Sequence, residues 1–179
     1  RGVLLFGGYQ WDAMSGAEIA QGHNSAFVDK QNRSFVVYHT RFSNGGEGHQ
    51  VRVHQLFLND EGWLMAAPFE FDGETITDGA IASKASIADA EIAGDYQFMR
   101  HQYGQNTKAK AFETPVNITL NADGTITGAE KGTWKRTAGT DYIHLTINNV
   151  VYRGVLVKQT VDYTNIPAIA ISALSSSSG

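Results

Sequence analysis

The residues best suited to chemistry stand at Gly22-His23-Asn24-Ser25, directly ahead of the apolar run Ala26-Phe27-Val28. An imidazole set between a glycine and small polar residues fits poorly in a packed core, because its neighbours prefer water and its backbone can turn. Such a group can ligate a metal, contact a sugar or cap a loop. Spacing alone favours the ordinary role, since no second ligand follows at a metal-site interval. His39 and His54 lie inside alternating runs, where a histidine hydrogen-bonded between sheets is the ordinary reading. His49 follows the glycine-rich stretch Gly45 to Gly48 and reads as an exposed loop end. His101 and His144 show no partner in the sequence.

Carboxyl chemistry on a glycosidic bond needs two acids opposed across it, one protonated and one ionised. Asp12, Glu18, Asp29 and Glu47 are the acids of the first half that lie ahead of the Asp60-Glu61-Gly62 turn. None stands in a motif that would bury it, and they read as solvated loop residues. The chain carries no nucleophile elbow, phosphate loop, dinucleotide fingerprint or calcium loop of the helix-loop-helix type. Trp11, Trp63 and Trp134 could stack on sugar rings, although packing beside a turn or core is the commoner fate of such residues. The triplets Asn32-Arg33-Ser34 and Asn117-Ile118-Thr119 have the form of glycosylation sites and arise readily by chance.

The elements that would have to position these residues are β-strands. The chain has 179 residues, 42% of them apolar and 18% charged, which suits one globular domain or two small ones. A net charge of -4 gives no case for nucleic acid or an anionic membrane. No apolar run approaches the roughly 20 residues of a membrane helix. With no cysteine there is neither a disulfide framework nor a thiolate site. No signal peptide is visible, and the chain opens at Arg1 inside an apolar run, which reads as a start within a longer protein.

Val3 to Phe6 reads as a strand, Tyr9 to Gln21 as a loop and His23 to Val28 as a short strand. Arg33 to Phe42 alternates, with Phe35, Val37 and His39 on one face and Val36, Tyr38 and Thr40 on the other. Both faces are apolar enough to be covered. His49 to Asn59 and Trp63 to Phe71 follow as third and fourth strands around the Asp60-Glu61-Gly62 turn. Four antiparallel strands in a meander are what a propeller blade requires, and a lone blade cannot bury both faces. Half of a helix-free sandwich is the competing architecture. Residues 73 to 90 read as a linker, with one helical turn within Ala85 to Ala93. From Glu91 the pattern is again β, beginning at Tyr96 to Met99, and Gly104 to Thr114 is a polar loop. Hairpin signals follow at Asn121 to Gly124 and at Asn148-Asn149. Pro167 to Leu174 is a last strand and Ser175 to Gly179 a flexible end. Six or seven short strands at this spacing make a small barrel or sandwich.

Gly22-His23-Asn24-Ser25, Val37-Tyr38-His39-Thr40-Arg41, His49-Gln50-Val51-Arg52-Val53-His54, Gly62-Trp63 and Ala67-Pro68 together resemble the final blade of endo-α-1,5-L-arabinanases of glycoside hydrolase family 43. Ile92-Ala93-Gly94-Asp95-Tyr96, Leu120 to Gly124, Thr127-Gly128 and Gly132-Thr133-Trp134 are similar to the C-terminal barrel of its two-domain members. The resemblance implies an all-β chain: residues 1–72 as the last blade of a five-bladed propeller, a linker at 73–90, and a lipocalin-like or sandwich barrel at 91–179. It implies a secreted enzyme that hydrolyses arabinan with inversion, through three carboxylates that no residue here matches. The expected partners are therefore an N-terminal propeller portion and arabinan or an arabino-oligosaccharide, with neither nucleic acid nor membrane. His23 matches a family histidine at the propeller axis that binds calcium largely through water. Asn24, Ser25, His39 and Arg41 become the substrate-side or supporting residues. The alternatives are a non-catalytic carbohydrate-binding module and a lipocalin-like binding barrel with an accessory sheet.

Overall fold

The computed structural model describes residues 4–73, 82–101 and 112–175. These residues are all-β apart from one 3-10 turn at Asp89–Glu91, and none of their helices is long and apolar enough to cross a membrane. Four strands form the first sheet: β1 (Glu18–Val28), β2 (Ser34–Phe42), β3 (His49–Leu58) and β4 (Leu64–Ala66). They pair antiparallel in sequence order, as a meander.

Alternation places Val36, Tyr38 and Leu56 against Ala66, and the chain start lays Leu5 and Phe6 over that cluster. Residues 4–7 are packed there but unpaired, so the strand expected at Val3 to Phe6 does not form in the described part; residues 1–3 lie outside it. The fourth strand is also shorter than Trp63 to Phe71. Beyond Ala66 the chain reaches Pro68, which has no donor to continue a ladder. It then keeps only scattered bonds to β3, from Ala67 N–H to Gln55 O and from Phe71 N–H to Val53 O. The β1 strand, in contrast, begins five residues before His23, where a loop was expected.

The second sheet holds seven strands: β5 (Gly94–Phe98), β6 (Val116–Leu120), β7 (Thr125–Gly128), β8 (Gly132–Arg136), β9 (Tyr142–Ile147), β10 (Val150–Thr160) and β11 (Pro167–Ser175). All neighbours are antiparallel, in the order β11-β10-β9-β8-β7-β6-β5. Its inward positions, Ile118, Leu120, Ile126, Ile143, Leu145 and Ile147 among them, make the largest apolar cluster. The Asn148-Asn149 turn has φ of 51° and 66°, the left-handed pair that a tight hairpin demands. The helical turn expected within Ala85 to Ala93 is the 3-10 turn, where the Ala88 N–H donates to Glu91 Oε2 at 2.8 Å. Residues 104–111 of the expected polar loop and 176–179 of the expected flexible end lie outside the described residues.

β9 leaves no room for a side chain at Gly132 of β8, where an added Cβ would lie 1.9 Å from the Thr146 carbonyl oxygen. A Gly132→Ala variant must therefore prise these strands apart, at an expected cost of about 1–3 kcal/mol. Its urea midpoint should fall accordingly, and an unchanged midpoint would contradict this close approach.

The sheets share a buried cluster. Phe57 and Met65 of the first sheet, with Ala67 just past its end, meet Val155 and Val157 of the second and Ala82 from the segment between the sheets. The buried Gln159 side chain accepts from Phe69 N–H at 3.0 Å and donates to Phe69 O at 2.9 Å. His144 Nε2 lies 2.6 Å from Asp60 Oδ2, and Arg153 pairs with the same oxygen at 3.1 Å. His144 thus has a partner after all, on a turn 84 residues away. His101 has one too, since its Nδ1 accepts from Gly7 N–H at 3.2 Å.

Candidate functional site

The β1 strand is built irregularly, and the irregularity makes the site. From Gly22 to Ser25 it advances three residues while β2 advances two, from His39 to Val37. One residue too many is a β-bulge, and a second lies between Ile19 and Gly22. Ala20 and His23 take the strain, with φ of 56° and 47°. Left-handed backbone costs a non-glycine residue on the order of 1–3 kcal/mol, and such strain collects at functional sites.

The bulge carries His23 onto the face of His39, although an unbroken strand would set it on the opposite face. Its Nδ1 lies 2.8 Å from His39 Nε2, and the two ring centres are 4.9 Å apart. The ring of His49, first residue of β3, stands 4.7 Å from that of His39. Two strand pairings thus gather three histidines that are scattered in sequence. Burial holds the His39 imidazole below its usual range, and the charges of His49, His23 and Arg41 add to the effect. Asn24 and Ser25 are exposed on β1 beside His23. Arg41 pairs with the exposed Glu47, and its Nε is buried without an acceptor.

A second polar group lies at the start of β1. Glu18 is only 1% exposed and accepts from Tyr38 Oη at 3.1 Å. The same hydroxyl lies 3.0 Å from His54 Nε2, whose Nδ1 is 2.8 Å from Ala67 O. His54 is thus a buried structural histidine, held neutral by burial with its pKa pushed down to about 4. Arg52 Nε sits 3.3 Å from Glu18 and 3.4 Å from Glu70, and its terminal nitrogen donates to Tyr163 Oη at 3.0 Å. Burial raises the Glu18 carboxyl above its usual range, against the opposing pull of Arg52 and Tyr38. Sequence reasoning counted Glu18 as a solvated loop acid. The missing signal was the strand around it, hidden because two bulges break the alternation.

Asp162, in the turn between β10 and β11, accepts from Glu70 N–H at 2.9 Å. Burial, aided by the nearby Glu18 and Glu70, pushes its carboxyl up to about 7. Glu70 and Asp162 line a cavity of about 450 Å³ at this seam. A larger one, of about 870 Å³, lies between β5, β11 and the chain start, away from β1 and β2. Trp63, on its wall, is 48% exposed. Trp11 is buried beside Tyr9 and Met14, and the Trp134 indole donates to Asn121 O at 2.9 Å. Of the three tryptophans Trp63 is the most open to solvent, and Trp134 is partly buried.

Comparison with known proteins places this geometry. Residues 68–179 match the family described as the GH43 C-terminal lipocalin-like domain. The extracellular endo-alpha-(1->5)-L-arabinanase of Thermotoga petrophila is 44% identical over 146 residues, covering 79% of this chain and 28% of that protein. Extracellular endo-alpha-(1->5)-L-arabinanase 2 of Bacillus subtilis is 38% identical over 162 residues, covering 88% of this chain and 32% of that protein. The crystal structure of the glycoside hydrolase family 43 YxiA protein from Bacillus licheniformis superimposes with a TM-score of 0.81 at 35% identity, covering 96% of this chain and 36% of that one. The endo-1,5-alpha-L-arabinanase of Thermotoga petrophila gives 0.81 at 40% identity, covering 96% of this chain and 37% of that one. This chain therefore spans about a third of the length of such relatives. It belongs to the glycoside hydrolase family 43 C-terminal lipocalin-like domain family, and its curated relatives are extracellular arabinanases.

Proposed function

We propose that this chain is part of a secreted, inverting arabinan-degrading glycosidase, supplying the last blade of a five-bladed propeller and an accessory barrel. The observation that carries this reading is the match to two arabinanases across 79% and 88% of the chain, within less than a third of either relative's length. The catalytic carboxylates belong to an N-terminal portion, and the chain alone is inactive. Its own buried acids support that division, because they are occupied structurally: Glu18 by Arg52 and Tyr38, Asp162 by Glu70 N–H, and Asp141 by Arg136 and Ser86.

His23 is the contribution to a calcium site at the propeller axis, with Asn24 and Ser25 beside it. Calcium prefers six to eight oxygen ligands. Among the described residues no three histidine, aspartate or glutamate side chains converge as a cation site. The donor set therefore fits one contributor to a shared site and not a complete cage. A bound calcium supplies fixed positive charge, which stabilises ionised carboxylates and orders water. His23 offers an imidazole nitrogen to that site, and Arg41 with His39 line its β2 side.

The half-exposed Trp63 favours one second reading, a non-catalytic module that grips glycan. Arabinan hydrolysis and calcium content separate the two, measured for the chain alone and for the chain joined to a family 43 N-terminal propeller portion. Hydrolysis by the joined protein only, with activity and calcium both falling about 10-fold or more in its His23→Ala variant, is the expected result. Glycan binding without hydrolysis in the joined protein would establish the second reading instead.

A further inference from the structure

We propose that His39 is a positioning residue that fixes the tautomer of His23, accepting a hydrogen bond from His23 Nδ1–H and so leaving His23 Nε2 deprotonated. The proposal rests on the reading of His23 as a metal-site histidine and adds what that reading lacks, a reason for the imidazole to present a lone pair. A cation, or a water bound to one, needs an acceptor. An imidazole free in water divides its proton between two nitrogens, and a partner on one of them decides which nitrogen stays bare.

The geometry is specific to this pair. His23 Nδ1 and His39 Nε2 are 2.8 Å apart, so one must carry the proton and the other accept it. The contact exists only because the bulge between Gly22 and Ser25 turns His23 toward β2. The left-handed φ of 47° at His23 is the backbone conformation that accompanies this turn. The ring is not crowded from position 22, opposite His39 in the ladder, since even a Cβ added at Gly22 would stay 3.6 Å from His39 Nε2. His39 is itself restrained by the ring of His49, 4.7 Å away. Strain, a bulge and a short nitrogen–nitrogen contact thus converge on one ring.

The test is histidine tautomer assignment by long-range proton–nitrogen correlation on the nitrogen-15-labelled chain, with the amide shifts of β2 and β3 as the check on folding. In the unmodified chain His23 should carry its proton on Nδ1. His39→Gln keeps an acceptor and should preserve that state. His39→Lys can only donate, so His23 should move its proton to Nε2. A purely structural His39 would leave the tautomer unmoved in both variants, which would overturn the proposal, as would an Nε2-protonated His23 in the unmodified chain. Calcium titration of the enzyme joined to its N-terminal portion is the separate arm. There His39→Lys should weaken calcium retention about 10-fold or more, with His39→Gln close to unmodified. A tautomer that responds while calcium retention does not would leave the positioning role standing and sink the metal reading of His23.

Discussion

An Arg52→Ala variant is expected to lose about 3–5 kcal/mol of folding stability, because it strands a buried carboxylate. The arginine side chain is 10% exposed and its partner Glu18 1%, so Glu18 would keep tyrosine hydroxyls but no cation beside it. The other partners contribute less. The Glu70 side chain is 35% exposed and Tyr163 60% exposed, and pairs that water can reach are worth at most about 1 kcal/mol. Equilibrium urea unfolding measures the loss, which is large beside the roughly 5–15 kcal/mol that holds a typical domain. Adding Glu18→Gln to Arg52→Ala removes the orphaned charge and should recover a substantial part of it. A loss under about 1 kcal/mol for the single variant, or no recovery in the double, would refute this account of the cluster.

The second large effect depends on pH. The folded-state pKa of Asp162 is about 7 against an ordinary 3.8, so the fold prefers its protonated form. The stability this group provides is complete below about pH 4 and is lost as pH rises through 7. Asp162→Asn keeps a carbonyl acceptor for Glu70 N–H and has no charge to bury. It should be more stable than the unmodified chain by about 2–4 kcal/mol at pH 8, with the difference vanishing near pH 4. Burial also raises Glu18 and Glu70, so the unmodified chain has further groups acting in the same direction, and the difference between the two proteins reports Asp162 together with its repulsion by those two carboxylates. Thermal unfolding at pH 4, 6 and 8 measures it. A pH-independent difference would mean that folding leaves the Asp162 carboxyl unshifted.

Much of this architecture was legible because its signals are local. The alternation in β2 and β3, the glycine of the Asp60-Glu61-Gly62 turn and the paired asparagines before Val150 act over a few residues. Backbone geometry reads them without help from distant chain. The start of β1 was illegible for the opposite reason. Each bulge adds a residue and reverses the inside-outside order, so Glu18 to Gln21 lacks the period that marks a strand. The length of β4 depended on where Pro68 meets its neighbours. His23 was readable as chemically apt but not as paired, since its partner lies 16 residues away on another strand. The Arg52–Tyr163 contact spans 111 residues, and nothing in either segment announces the other.

One detail at the junction has a mechanical meaning. The Gln159 amide, bonded to both the N–H and the C=O of Phe69, imitates a rung of a ladder but is mounted on a side chain. A strand rung can be exchanged for its neighbour by slippage. This one is a single clasp, set beside the Glu70–Asp162 bond and the ion pairs on Asp60 that also join the sheets. Shortening it by a single methylene, as in Gln159→Asn, would release both ends of the clasp at Phe69 while the backbone bonds of the strands stay in place, so residue 159 sets how firmly the two sheets are latched and not how either is woven.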